Sequence, residues 1–168
     1  LPICNNEISS AIWSALKGKG YVEEIIVSTE QKSWQQALGD NPLVNLDNRL
    51  TLNKQQALAF SQLLYQEGFN VWLLEGVTGS GKTEIYLQYI EEVLKKGKQI
   101  LVLVPEIGLT PQTVRRFQAR FNVEIDVLHS NLNDTQRLNV WERARTGQSA
   151  IVIGTRSALF TQFSDLGL

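Results

Sequence analysis

Short apolar runs alternate along the chain with longer stretches that place an apolar residue at every third or fourth position. The run Ile-Leu-Val-Leu-Val at 100–104 predicts a strand that is buried on both faces. Alternating strands and amphipathic helices are typical of βαβ units, so we predict an α/β fold in which helices cover both faces of a parallel sheet. The predicted strands are 71–74, 100–104, 123–128 and 150–153, and the predicted helices are 55–65, 84–96, 110–121 and 133–145.

The beginning of the chain follows a different pattern. Residues 8–16 predict a short helix, which Gly18 ends, and residues 21–27 predict a strand. One helix and one strand cannot bury a core of their own, so they are expected to belong to a small domain. The next stretch is polar and contains Gly-Asp-Asn-Pro, which predicts a linker. The predicted organisation is a small segment at 1–30, a linker at 31–49 and an α/β domain at 50–168.

Composition excludes some classes of protein. The formal net charge is −1, so a nucleic-acid site would have to be a local patch rather than a general positive field. Cys4 and His129 are the single cysteine and histidine, too few for a disulfide framework or for a zinc site made by this chain alone. No signal peptide and no apolar run of membrane-spanning length is found, so we expect a cytoplasmic protein with no membrane partner. Because the chain starts with Leu1 and contains no Met, we expect a piece of a longer protein.

Residues 76–83 read Gly-Val-Thr-Gly-Ser-Gly-Lys-Thr and match the phosphate-binding pattern G-x-x-x-x-G-K-[ST] at every position. Glycines adopt backbone angles closed to other residues, so successive N–H groups can converge on an anion. The following helix N-terminus also favours negative charge. We therefore predict a P-loop NTPase that binds ATP, with Lys82 at the β- and γ-phosphates and the Thr83 hydroxyl on Mg²⁺. The residues assigned to the loop are Gly76, Val77, Thr78, Gly79, Ser80, Gly81, Lys82 and Thr83.

A P-loop by itself does not distinguish a kinase, a GTPase and a motor protein. Hydrolysis also needs a carboxylate at the end of a neighbouring strand, which holds Mg²⁺ and orients water. Glu106 follows an apolar run, but Pro105 interrupts that run, and Asp126 lies inside a predicted strand. We therefore expect this chain to bind nucleotide with little or no hydrolysis. A small-molecule phosphotransferase and a nucleotide-binding module without enzymatic activity are the alternatives.

The chain resembles the superfamily 2 helicases over residues 50–168, because five stretches occur in the order found in that family. They are Leu-Asn-Lys-Gln-Gln at 52–56, the P-loop with its following glutamate at 76–84, Val-Pro-Glu-Ile-Gly-Leu-Thr-Pro-Gln at 104–112, Leu-His-Ser at 128–130 and Ile-Gly-Thr-Arg-Ser-Ala at 153–158. The stretches at 105–112 and 154–158 are similar to those of helicases that restart replication. The resemblance implies the first RecA-like helicase lobe, incomplete, preceded by the end of a winged-helix-like segment.

The resemblance also implies roles for single residues. Gln56 matches the glutamine that recognises adenine, and a carboxamide offers the donor and the acceptor that the adenine edge needs. The stretches at 105–112 and 154–157 match motifs that track single-stranded DNA. The DNA contacts implied in this way are Thr110, His129, Ser130, Thr155, Arg156 and Ser157.

At the level of the whole protein, the resemblance implies an ATP-driven 3′-to-5′ DNA helicase that acts in replication restart and primosome assembly. Single-stranded or forked DNA, primosome proteins and single-strand-binding proteins are its implied partners. The family's Asp-Glu-Glu-His box is expected just after Leu168, and zinc is expected in a part of the longer protein outside this chain.

Several of these residues also have a purely structural interpretation. Thr110 caps a helix in either case, because Pro111 follows it at the first helical position. Arg156 can be a surface ion-pair partner, His129 a structural hydrogen-bonder and Gln56 an exposed helix residue. No site role is predicted for Glu84, for the basic helix face of Arg115, Arg116 and Arg120, which is expected to be solvated, or for Trp13, Trp34 and Trp141, which are expected to be buried.

Overall fold

The computed structural model describes the chain in three stretches, which are residues 10–21, 32–64 and 68–168. The chain divides into two compact units, at residues 1–30 and 31–168. In the first unit the described residues form helix α1 at Ser10–Gly18, where a helix was expected at 8–16. The predicted strand at 21–27 lies outside the described residues except for Tyr21, and the winged-helix-like character of this unit stays a prediction.

The second unit is built on a sheet of three parallel strands in the order β1-β3-β2. The strands are β1 at Ile100–Leu103, β2 at Ile125–Leu128 and β3 at Ile151–Gly154. The register pairs both Leu103 and Leu128 with Gly154, so all three strands end at the same edge of the sheet. We call this the carboxyl edge, and it is where ligands bind in open parallel sheets.

The N-termini of the helices lie where the sequence supplies capping residues or a glycine-rich loop. Thr110 caps α5, which has Pro111 at its first position, and α6 begins with a capping box of Asn133 and Gln136. α4 begins earlier than predicted, because the glycine-rich loop runs directly into it with Gly81 as the N-cap. The helices are α2 at Trp34–Leu38, α3 at Lys54–Leu64, α4 at Lys82–Lys95, α5 at Pro111–Arg120 and α6 at Asp134–Arg145. None of the helices in the described stretches is long and apolar enough to cross a bilayer.

Helices cover both faces of the sheet. Ile151 and Ile153 of β3 are fully buried in a core cluster that also contains residues of α4 and α5. Val152 lies between them and packs with α6 in a second cluster. Successive side chains of a strand point to opposite faces, so the unit has three layers, with α4 and α5 on one side and α6 on the other. The predicted α/β fold is confirmed.

The predicted strand at 71–74 is wrong. Val71 and Leu73 are 83% and 88% exposed, and the segment pairs with no strand among the described residues. A strand needs a neighbour because its N–H and C=O groups find no partner within the segment, and an apolar composition cannot supply that neighbour. A different segment lies along the free edge of β1, where the N–H of Leu101 donates to the carbonyl of Leu168 at 2.8 Å.

The sequence predicts a linker at 31–49, but the described part of it, residues 32–49, packs into the core of the second unit. Trp34 in α2 is 3% exposed and belongs to the same buried cluster as Phe121. Val44 is also buried and forms an antiparallel bridge with Phe121. The expectation that Trp34 is buried is confirmed, although its polar surroundings in the sequence gave no sign of where it packs.

Candidate nucleotide-binding site

The glycine-rich loop at 76–83 turns through two left-handed glycines. Gly79 has φ 81° and Gly81 has φ 82°, a region that other residues rarely adopt. The loop then enters α4, so Lys82 and Thr83 occupy the first turn of the helix. Free N–H groups and the helix dipole favour an anion at that position. The backbone therefore has the features that a phosphate-binding loop requires.

The side chain of Lys82 folds back over this loop. Its Nζ donates to the carbonyl oxygens of Gly76 at 2.5 Å and Val77 at 3.0 Å. The Oγ of Ser80 is buried and has no hydrogen-bond partner in the described part of the chain. A Cβ on Gly76 would lie 2.8 Å from that oxygen, so a larger residue there would require the Ser80 side chain to move. An ammonium and an unsatisfied hydroxyl on one loop suit phosphate oxygens, and the residues therefore fit the predicted nucleotide.

Gln56 connects the loop with α3. Its Oε1 accepts the N–H of Asn53 at 2.9 Å, while the Asn53 side chain accepts the N–H of Gln56, also at 2.9 Å, which closes a capping box. Its Nε2 donates to the carbonyl of Ser80 at 2.8 Å. A carboxamide has two N–H groups and two acceptor lone pairs, so one of each is left for a ligand. Recognition of adenine by Gln56 stays a prediction, but the side chain of Gln56 is hydrogen-bonded to the loop.

An open cleft of about 740 Å³ lies beside the loop. Residues 78–84 form one wall, and Arg116 and Arg120 of α5 contribute to the other. The prediction of a solvated basic face holds for Arg115 and Arg116, which are exposed, but is wrong for Arg120, which is 1% exposed. Spacing four residues apart places Arg116 and Arg120 on the same side of a helix, but only the fold directs that side toward the loop.

Arg120 is buried because it has polar and acidic partners. Its Nη2 donates to Oε1 of Glu84 at 2.9 Å, and its Nη1 donates to the carbonyl of Asn48 at 2.6 Å. Oε2 of Glu91 lies 3.9 Å from the same guanidinium. Glu84 directly follows Thr83, so a buried ion pair joins the start of the loop's helix to the end of α5. The sequence predicted no role for Glu84, because nothing local indicates a partner on another helix.

Further contacts extend this ion pair along α4. Nε2 of Gln88 donates to Glu84 at 2.8 Å, and Nζ of Lys95 lies 2.8 Å from both Glu91 and Glu92. The hydrogen bond to Glu91, and then that to Glu92, raise the pKa of Lys95 above its ordinary value although partial burial acts in the opposite direction. Two of these carboxylates, Glu84 and Glu91, are more than nine-tenths buried and are both paired with cations.

The two acids considered as magnesium ligands have other partners. Glu106 lies in a 3₁₀ turn after β1 and accepts the hydroxyl of Ser130 at 2.7 Å. Asp126 in β2 accepts Nε of Arg143 at 2.9 Å and the hydroxyl of Ser149. Burial lowers the pKa of Arg143, but the charge of Asp126 and the carboxylate hydrogen bonds outweigh it and raise that pKa. Within the three described stretches, no group of three His, Cys, Asp or Glu residues could hold a metal ion.

The predicted DNA contacts that follow β2 and β3 lie next to each other at the carboxyl edge. Thr155 follows β3, and its N–H donates to the carbonyl of Leu128 at 3.3 Å, directly before His129. The bond from Ser130 to Glu106 ties the loop after β2 to the loop after β1. Parallel strands therefore bring these separated stretches of sequence to one edge, as the strand pattern predicts.

These residues differ in the bonds that they already make. Oγ1 of Thr110 accepts the N–H of Thr113 at 3.2 Å, so its predicted capping of α5 is confirmed. Nδ1 of His129 accepts the N–H of Asn131 at 3.2 Å, which is a structural hydrogen bond. Arg156 is exposed and its side chain makes no hydrogen bond or ion pair with any described residue, so the ion-pair interpretation has no support. Contact of these residues with DNA stays a prediction.

A glycine-rich loop that leads into the first turn of a helix packed on a parallel sheet defines the class of P-loop nucleotide-binding proteins. The model of the DEAD/DEAH box helicase family matches residues 53–167, and the chain belongs to this family. More particular relatives are the replication restart proteins PriA. The chain is 81% identical over 163 residues to PriA of Haemophilus influenzae and 40% identical over 165 residues to PriA of Bacillus subtilis. The predicted resemblance to replication-restart helicases is thereby confirmed.

These alignments cover 97% and 96% of this chain but 22% and 20% of the relatives, so the chain spans about a fifth of their length. The structure of RecG bound to a three-way DNA junction is similar in fold, with a TM-score of 0.63 and 27% identity. That match covers 70% of this chain and 17% of the RecG chain. The predicted RecA-like helicase lobe is confirmed at the level of the fold.

Proposed function

We propose that the chain forms the ATP-binding part of a 3′-to-5′ DNA helicase that acts in replication restart. The observation that carries the proposal is the glycine-rich loop at 76–83, which brings Lys82 and Thr83 into the first turn of α4. Membership of the DEAD/DEAH box helicase family and similarity to PriA proteins support the role in DNA unwinding.

In this proposal each part of the loop has its own task. The backbone N–H groups of residues 76–83 and the α4 N-terminus hold the phosphates, and Lys82 adds a positive charge to the β- and γ-phosphates. The Thr83 hydroxyl binds Mg²⁺, and Gln56 recognises adenine with the donor and acceptor that its other bonds leave free. Hydrolysis of ATP would supply the free energy and Mg²⁺ would neutralise charge on the phosphates, while this chain's own residues would bind and orient both.

The carboxyl edge is the proposed path of DNA. Among the described residues Arg156 is an exposed cation at this edge whose side chain has no ion-pair partner, and the hydroxyls of Thr155 and Ser157 beside it suit the phosphate backbone. The residues proposed to contact DNA are Thr110, His129, Ser130, Thr155, Arg156 and Ser157. Forked or single-stranded DNA, primosome proteins and single-strand-binding proteins are the proposed partners, and the cytoplasm is the proposed location. Any zinc site is proposed to lie in other parts of the longer protein.

Strand separation on forked DNA tests the proposal in the longer protein that contains this chain. Lys82→Ala removes a charged contact with phosphate, so we expect nucleotide binding to weaken about tenfold or more and unwinding to be lost. Arg115→Ala is the control, because this exposed arginine does not line the cleft beside the loop. Absence of ATP-dependent unwinding by the unchanged protein would contradict the proposal.

We further propose that residues 1–168 by themselves bind ATP without efficient hydrolysis. Glu106 and Asp126 make other hydrogen bonds. Among the described residues, no group of three His, Cys, Asp or Glu side chains could hold Mg²⁺. Calorimetry with a non-hydrolysable ATP analogue should detect binding, while a phosphate-release assay should detect negligible turnover. Rapid turnover of a small-molecule acceptor without DNA would instead indicate a phosphotransferase.

A further inference from the structure

A second pocket, separate from the loop, opens at the carboxyl edge. It has a volume of about 300 Å³ and lies between the end of β2, the middle of α6 and the 3₁₀ turn at Arg156–Phe160. We call it the β2–α6 pocket. Its lining residues are Leu128, His129, Arg137, Leu138, Trp141, Ser157, Phe160 and Thr161. His129 and Ser157 are also proposed DNA contacts, so the pocket adjoins the proposed path of the strand.

The lining combines aromatic rings with positive charge. Phe160 is 83% exposed, so its ring is open to a ligand. Trp141 is half-buried, and the guanidinium carbon of Arg145 lies 5.3 Å from the centroid of its ring. Arg137 adds a cation to the lining, and none of the described residues that line the pocket is acidic. The lining therefore favours a ligand that is flat, unsaturated and attached to negative charge.

The polar groups of the pocket are held in fixed positions. Nε and Nη2 of Arg137 donate to the carbonyls of Leu132 at 3.1 Å and Ser130 at 3.0 Å, so its guanidinium is fixed beside the loop after β2. Nδ1 of His129 accepts the N–H of Asn131, so the proton of the neutral imidazole belongs on Nε2, which is then a donor. Donors in fixed positions lose little entropy when a ligand binds.

We propose that the β2–α6 pocket binds an unstacked base of single-stranded DNA while the carboxyl edge holds the neighbouring phosphates. This inference rests on the proposed function, because it requires that DNA runs along this edge. Base stacking on aromatic rings accepts any base, which suits a motor that moves along DNA of any sequence. At about 300 Å³ the pocket is at the small end of ligand pockets, which suits one base.

The test compares two labelled strands of equal length, one of deoxythymidines and one in which abasic spacers keep the phosphates but remove the bases. Binding is measured by fluorescence anisotropy with the longer protein that contains this chain. Phe160→Ala and Phe160→Leu should weaken binding of the thymidine strand about tenfold and leave the abasic strand unchanged, because they remove stacking only. Phe160→Tyr should bind both strands like the unchanged protein, because it keeps an aromatic ring.

Leu159→Ala is the matched control, since Leu159 is 62% exposed on the same 3₁₀ turn but does not line the pocket. It should behave like the unchanged protein. If the Phe160 variants bind both strands normally, or if Phe160→Leu keeps full thymidine affinity, the pocket is not a stacking site and an apolar protein segment is the better occupant. If the unchanged protein binds neither strand, DNA binding itself fails, which is a separate result that also contradicts the proposed function.

Discussion

At the scale of single residues, both the backbone conformation and the space beside Gln56 favour glycine at position 81. Its φ of 82° lies in the left-handed region, and a Cβ there would overlap the Nε2 of Gln56. Gly79 has nearly the same φ, 81°, but nothing lies within 4 Å of a Cβ built on it. Substitutions at these two glycines therefore distinguish the effect of backbone strain from the effect of lost space beside Gln56.

We expect Gly79→Ala to cost about 1–2 kcal/mol of stability from backbone strain alone. Gly81→Ala should cost more and should also weaken binding of ATP analogue, because the new methyl group displaces Gln56 from the Ser80 carbonyl. Thermal unfolding and calorimetry measure the two effects. Adding Gln56→Ala should relieve part of the stability loss caused by Gly81→Ala, and strictly additive effects of the two changes on the free energy of unfolding would contradict the proposed steric cause.

At the scale of elements, a buried ion pair fixes the packing of α4 against α5. Arg120 and Glu84 are 1% and 8% exposed, and they lie at the end of one helix and the start of the other. Removing one charge leaves its partner buried without compensation, which is the most costly way to disturb such a pair. Glu84 follows Thr83, so the position of the phosphate-binding turn depends on this contact.

Arg120→Met is expected to lower the free energy of unfolding by about 3–5 kcal/mol, because Glu84 and Glu91 stay buried next to an apolar side chain. Adding Glu84→Gln should recover part of that loss, since the double variant carries one buried charge fewer. Chemical denaturation measures both. Arg115→Met on the exposed side of α5 serves as the control and should stay within about 0.5 kcal/mol of the unchanged chain. A similar loss for both arginines would show that the buried pair has no special role.

At the scale of the whole second unit, residues that precede the α/β pattern complete its core. Trp34 and Val44 are buried in the same cluster as Ile100, Ile151 and Ile153 of the sheet. The guanidinium of Arg120 also donates to the carbonyl of Asn48 at 2.6 Å, so backbone from this segment takes part in the buried ion-pair network. We therefore treat the segment at 31–49 as a structural part of the nucleotide-binding unit.

Trp34→Ala is expected to cost about 3–5 kcal/mol of stability, as for other buried large aromatic residues. The matched control is Leu46→Ala in the same segment, where the side chain is 66% exposed and the change should cost less than about 0.5 kcal/mol. Both are measured by thermal or chemical unfolding. Equal, small effects of the two changes would mean that the segment acts as a simple connection.

The local features of this protein could be predicted from its amino-acid sequence. The loop at 76–83, the cap at Thr110 and the apolar strands around 101, 126 and 152 follow from interactions between residues that are close in sequence. The order of strands and helices then predicts that their carboxyl ends share one edge, because parallel strands with helical crossovers have few other arrangements. Family membership was predictable for the same reason, since its motifs are short and local.

The contacts between residues that are far apart in sequence could not be predicted, because they depend on the fold of the whole unit. Burial of Arg120, the packing of Trp34 and the exposure of residues 71–74 each depend on a neighbour that is distant in sequence. An arginine is solvated or buried according to whether an acid such as Glu84 comes within hydrogen-bonding distance, and an apolar run becomes a strand only beside another strand. Local composition does not contain those distances, so they could not be predicted from it.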